Sequence, residues 1–84
     1  METQIIAGRI RKFLVQRFPA TKNVGDDDAL LKNGMIDSLG ILEIVTFLER
    51  EFAIILSDEE LSPENFESVR SLSSFVRLKT NGVS

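Results

Sequence analysis

The stretch Gly34-Met35-Ile36-Asp37-Ser38-Leu39-Gly40-Ile41-Leu42-Glu43-Ile44-Val45-Thr46-Phe47-Leu48-Glu49-Arg50-Glu51-Phe52 decides how the chain is read. From Ser38 to Phe52 it contains no proline, and Asp37 stands where an N-cap carboxylate accepts from first-turn amides, so a helix is expected to open there. At ~100° per residue, Ile41, Ile44, Val45, Leu48 and Phe52 fall on one side, the side a bundle buries. Leu39 and Leu42 fall across the helix, among Glu43, Thr46, Glu49 and Arg50. They are expected to be exposed apolar residues inside a charged rim, which is how a small docking surface looks. Single exposed leucines are also ordinary on any protein surface, so the wheel alone leaves both readings open.

Ser38 opens this helix. A serine there is ordinarily a cap, yet the position also suits a modified hydroxyl. The side chain is presented at a helix end, and the amides and dipole of that end favour an attached phosphodiester anion. The loop before it leaves room for a modifying enzyme, and Gly40 allows close approach.

Working outward, Ile6, Ile10, Phe13, Leu14 and Phe18, with Ile5 alongside, repeat at helical spacing from Thr3 to Phe18. Thr3 is the expected N-cap, and Pro19 ends the helix by pushing Phe18 out of the helical region. Ala20 to Ile36 is rich in turn formers around Asp26-Asp27-Asp28 and Leu30-Leu31, and reads as a long ordered loop of the kind that is often functional. Leu30, Leu31, Met35 and Ile36 are expected to tack it to the core.

After Phe52, Ala53-Ile54-Ile55-Leu56 is either an extended strap or a last turn. Ser57 and Glu60 have capping-box spacing. Pro63 suits a first helical position, so a short helix through Phe66 is expected. Ser68 then opens a last helix with Val69, Leu72, Phe75, Val76 and Leu78 at helical spacing, and Asn81-Gly82-Val83-Ser84 is an expected frayed end. The expectation is an all-α fold over residues 1–84 as one domain: three main helices, one short helix and a long first loop.

Composition narrows the function. The 84 residues allow a single core. With 13 acidic against 10 basic side chains the formal charge is -3, which disfavours nucleic acid. Neither cysteine nor histidine occurs, which removes disulfides, the usual zinc sites and thiol or imidazole catalysis. The sequence is therefore read as a non-enzyme. Ser38 as a nucleophile assisted by Asp37 has little support, because adjacent helical residues point about 100° apart. No stretch is long and apolar enough for a membrane span and no leader pattern opens the chain, so the expected location is the cytoplasm.

With those residues in place, the chain resembles the acyl carrier protein family, in which an Asp-Ser-Leu triplet opens the second helix. The likeness rests on Asp37-Ser38-Leu39, on Glu43 five residues past the serine, and on Leu48-Glu49-Arg50-Glu51-Phe52 at the helix end. It continues through Ser57-Asp58-Glu59-Glu60-Leu61 and the last helix, over roughly residues 3–79. The resemblance implies a four-helix bundle with a long first loop. It implies that Ser38 receives 4′-phosphopantetheine from coenzyme A through a phosphopantetheinyl transferase, usually with magnesium, and that Asp37 is the aspartate preceding the modified serine. It implies that Leu39, Leu42, Glu43 and Glu49, with Thr46 between them, form the partner-docking face.

Further partners implied are an acyl- or aminoacyl-loading ligase and downstream transferases, met by a monomer. Gly40 stands where fatty-acid-synthesis carriers have an acidic residue, and Arg50 interrupts the acidic run. This points away from the housekeeping fatty-acid carrier, and the segment Leu61-Ser62-Pro63-Glu64-Asn65-Phe66, which is similar to that of dedicated carriers, implies a stand-alone, specialised acyl or aminoacyl carrier. The alternative from another class is a cofactor-free helical interaction module that uses the Leu39/Leu42 face.

Overall fold

The computed structural model describes residues 2–81. The end expected to fray therefore lies, from Gly82 on, outside the described residues. The described residues form three α-helices: α1 over Thr3–Arg17, α2 over Ser38–Phe52 and α3 over Val69–Asn81. No strand occurs among the described residues. The fold is all-helical.

Each helix buries one stripe. Ile6, Ile10 and Leu14 of α1, Ile44, Leu48 and Phe52 of α2, and Val69, Leu72 and Val76 of α3 meet in one core. Burial of side chains of this size stabilises by roughly 1.5–3 kcal/mol each. Phe66, from the segment before α3, is 1% exposed and fills the bundle with them. α1 and α3 share the most extensive helix contact. Phe13 and Phe18 are half-buried, Ile5 is exposed and Leu78 is 72% exposed, so the outer members of the α1 and α3 stripes lie at the edge of the core.

The connection between α1 and α2 is structured. It begins with a 3-10 turn at Pro19–Thr21 and ends with another at Lys32–Gly34, where Gly34 takes a positive φ of 68°. Leu30 and Ile36 plug it into the core, and Leu31 and Met35 are half-buried. Arg11 of α1 donates to the Val24 carbonyl at 2.6 Å and pairs with Asp26. Arg70 of α3 pairs with Asp27 and holds that carboxyl below the usual carboxylate range. The Arg70 amide also donates to the Asp26 carbonyl at 2.9 Å, and the Leu30 amide to Glu67 at 2.7 Å.

Ala53 ends α2 in the left-handed region at φ 54°, and the Ile54 amide closes the end on the Glu49 carbonyl at 3.3 Å. Ile54-Ile55-Leu56 then runs outside any helix as a strap, with Ile54 in and Ile55 out. Asp58–Leu61 is a 3-10 helix with its capping box between Ser57 and Glu60 complete. The short helix expected at Pro63–Phe66 is instead a turn, closed by the Phe66 amide on the Pro63 carbonyl at 3.1 Å. The capping box outweighed the proline in placing the helical turn. At the N-terminus Glu2 rather than Thr3 occupies the N-cap, without a side-chain bond, because the chain has already turned helical at Thr3. Ser68 caps α3 by accepting the Ser71 amide at 3.1 Å.

No described buried side-chain nitrogen or oxygen lacks a partner. No helix among the described residues is long and apolar enough to cross a membrane.

Candidate functional site

Asp37 sets the head of α2. Its backbone is extended, its Oδ1 accepts the Gly40 amide at 2.8 Å, and its carbonyl accepts the Ile41 amide at 3.0 Å. The amides of Ser38 and Leu39 have no intrahelical acceptor, as at the start of any α-helix. Ser38 is the first helical residue and is exposed, and its hydroxyl makes no hydrogen bond among the described residues. Capping is thus done by Asp37, and the Ser38 hydroxyl is left facing solvent at the positive end of the helix dipole.

Gly40 carries a packing role that sequence reasoning missed. A Cβ there would come within 2.8 Å of Ile36 Cγ2 and 3.0 Å of Phe18 Cε1, so α2 starts in close contact with the end of α1 and the end of the connection. A side chain at residue 40 would force Ile36 or Phe18 to shift.

Leu39 and Leu42 are 70% and 56% exposed, on the face where the helical wheel puts them. Thr46, one turn below Leu42, is also exposed, and its hydroxyl donates back to the Leu42 carbonyl at 3.0 Å. The two glutamates of this region are each engaged. Glu43 accepts from Arg17 Nε and Nη2, at 2.5 and 2.7 Å. Glu49 turns its carboxylate to the strap and accepts the Leu56 amide at 2.9 Å.

A groove of about 260 Å³ beside the serine brings Asp37, Leu39, Glu43, Met35 and Arg17 together. A second, of about 440 Å³, runs further down α2 between Glu43, Thr46, Arg50 and the Phe13–Phe47 pair, whose rings stack at 4.2 Å and 9°. Arg17 and the aromatic pair were not singled out from the sequence. Their partners lie on another helix, and nothing in local spacing signals them.

The site residues fit a covalently held phosphodiester arm. An exposed hydroxyl without a hydrogen bond among the described residues stands at a helix N-terminus with free amides behind it. The family model for the phosphopantetheine attachment site matches residues 8–76. Over 59 residues the chain is 32% identical to aminoacyl carrier protein 2 of Bradyrhizobium diazoefficiens, a match that covers 70% of this chain and 65% of that relative. The crystal structure of an acyl carrier protein from Thermotoga maritima superposes with a TM-score of 0.76 at 24% identity, covering 100% of this chain and 96% of the other, and shares the fold.

An all-helical domain with a phosphopantetheine attachment sequence is a carrier domain. The chain belongs to the acyl carrier protein family, whose cofactor is covalently attached 4′-phosphopantetheine. The cofactor-free interaction module is not favoured by these matches.

Proposed function

We propose that Ser38 is the attachment point and that the chain carries an acyl or aminoacyl group, as a single non-catalytic domain working as a cytoplasmic monomer. The observation that carries this reading is the division of roles at the head of α2: Asp37 caps, so the exposed Ser38 hydroxyl has no structural duty. In the modification, the Ser38 oxygen attacks the phosphorus of coenzyme A that bears the pantetheine. A new phosphodiester forms, the adenine nucleotide leaves, and the serine proton passes to the transferase. Once bound, the arm supplies a terminal thiol that holds the cargo as a thioester.

The chain's own residues then present the arm. Asp37 and Gly40 fix the start of α2, and Leu39, Leu42 and Thr46 offer a shallow apolar contact suited to brief encounters, with Glu43 and Glu49 at its borders. Tethering raises the local concentration of the cargo at each docked enzyme in turn. The partners of this reading are a phosphopantetheinyl transferase, a loading ligase and downstream transferases. We read the Asp58–Leu61 turn as the short fourth element of a four-helix bundle, with residues 18–37 as its long first loop.

A small cargo is favoured over a long acyl chain. Ile44, Leu48, Phe66, Leu72 and Val76 are all at most 1% exposed and fill the bundle, so a long chain could enter only by displacing them. The likeness to an aminoacyl carrier points the same way.

Incubation of the apo-protein with coenzyme A, magnesium and a broad-specificity transferase tests the reading by intact mass. A phosphopantetheinyl adduct is expected on the native protein and is lost in Ser38→Ala. An adduct that persists in Ser38→Ala would refute the assignment.

A further inference from the structure

Arg17 is held from two sides. Its Nε and Nη2 donate to the two oxygens of the Glu43 carboxylate, at 2.5 and 2.7 Å, and its central carbon sits 5.2 Å from the centre of the Phe18 ring. Phe18 is itself fixed, edge-on to Phe13 at 6.3 Å and against the space above Gly40. The cation is therefore placed before any partner arrives. It lies at the end of the docking face nearest Ser38, on the wall of the groove shared by Asp37, Leu39 and Glu43.

This changes the charge that a partner meets. Glu43 is covered by Arg17, Glu49 is bound to the Leu56 amide, and Arg50 adds a second positive charge beside Thr46. Leu39 and Leu42 remain uncovered between these groups. A lysine or arginine of a partner that approaches Glu43 must compete with a bidentate contact already made.

Building on Ser38 as the attachment point, we propose that Arg17 is a specificity-determining residue for docking. By covering Glu43 it selects partner enzymes with an apolar socket and a weakly charged rim over enzymes that dock through a basic patch. The pair is half-exposed, with side chains 52% and 39% accessible, so its removal alters the surface field without opening the core.

The experiment uses a phosphopantetheinyl transferase whose docking surface is basic, with coenzyme A and magnesium, and follows adduct formation by intact mass. Wild type, Arg17→Gln, Arg17→Lys and Arg17→Gln/Glu43→Gln are compared at low and high salt. Arg17→Gln should lower KM about three- to tenfold at low salt with kcat unchanged, the scale of one uncovered charge in a surface encounter. The gain should vanish when salt shortens the screening length to ~3 Å. Arg17→Lys, which keeps the charge but loses the two-point contact with Glu43, should fall between wild type and Arg17→Gln, and the double variant should return to wild type. An unchanged or higher KM in Arg17→Gln, or a gain that survives in the double variant, overturns the proposal. No adduct on any of the proteins would instead overturn Ser38 as the attachment point, and this inference with it.

Discussion

Phe18 occupies the space that a side chain at residue 40 would need: its ring lies 3.0 Å from where a Cβ on Gly40 would stand. The end of α1 and the start of α2 thereby share one contact, completed by Ile36. Gly40→Ala would add a methyl group to a filled space, at a cost of about 1–3 kcal/mol. It would recover up to ~1 kcal/mol of helix propensity, so a net loss of roughly 1–2 kcal/mol is expected in urea unfolding. Phe18→Leu in the same chain should return part of it. A stabilised Gly40→Ala protein would show that the contact is not tight.

Ala53 presents the opposite case. It holds a left-handed backbone, at φ 54°, that disfavours any residue with a Cβ by ~1–2 kcal/mol. Glycine removes that strain but adds freedom to the unfolded chain, worth ~0.5–1 kcal/mol. Ala53→Gly should therefore raise stability by about 0.5–1 kcal/mol and leave adduct formation on Ser38 unchanged. Thermal unfolding checks the first and intact mass the second.

Leu39→Glu separates docking from packing. With Leu39 70% exposed, stability should stay within ~0.5 kcal/mol of the native value. Transfer to or from a partner enzyme should fall, since the apolar contact is replaced by a charge. A large drop in melting temperature would instead assign Leu39 a structural role.

Glu60 links the strap to α3. Its Oε1 accepts from the Ser57 amide and from Lys79 Nζ, both at 2.9 Å, and these bonds, the Ser57 amide first, hold its carboxyl below the usual range. Asp27 is lowered in the same way by Arg70. For both, the folded pKa lies below the unfolded one, so the unfolded chain takes up protons first as pH falls. Their contribution is complete above the ordinary carboxylate range, near 4, and disappears as pH drops through the folded values. Unfolding followed between pH 7 and 2 should show a plateau and then a decline. Glu60→Gln should lower the plateau and make the decline shallower.

Much of this molecule could be read from periodicity. The stripes Ile6-Ile10-Leu14 and Ile44-Leu48-Phe52 are repeats within one element, and Asp37 is a cap recognisable from three residues of context. The capping box at Ser57 and Glu60 was legible for the same reason, although the helical turn it starts was expected later, at Pro63. What escaped depends on how separate elements meet. Gly40 looked like an allowance for an incoming enzyme until Phe18 and Ile36 were seen around it. Glu43 and Glu49 looked like free rim carboxylates, yet one meets Arg17 across 26 positions of sequence and the other reaches the strap. A helical wheel gives the direction of a side chain but not the partner waiting there.

The connection from α1 to α2 is pinned by Leu30 and Ile36 inside and by Arg11 and Arg70 at its flanks. It thus acts as a splint rather than a tether, and residue 38, the proposed pivot, has a fixed address on the bundle. Whatever sweep brings a cargo from one catalytic centre to the next must come from the rotatable bonds of the arm, with the polypeptide serving as a rigid post.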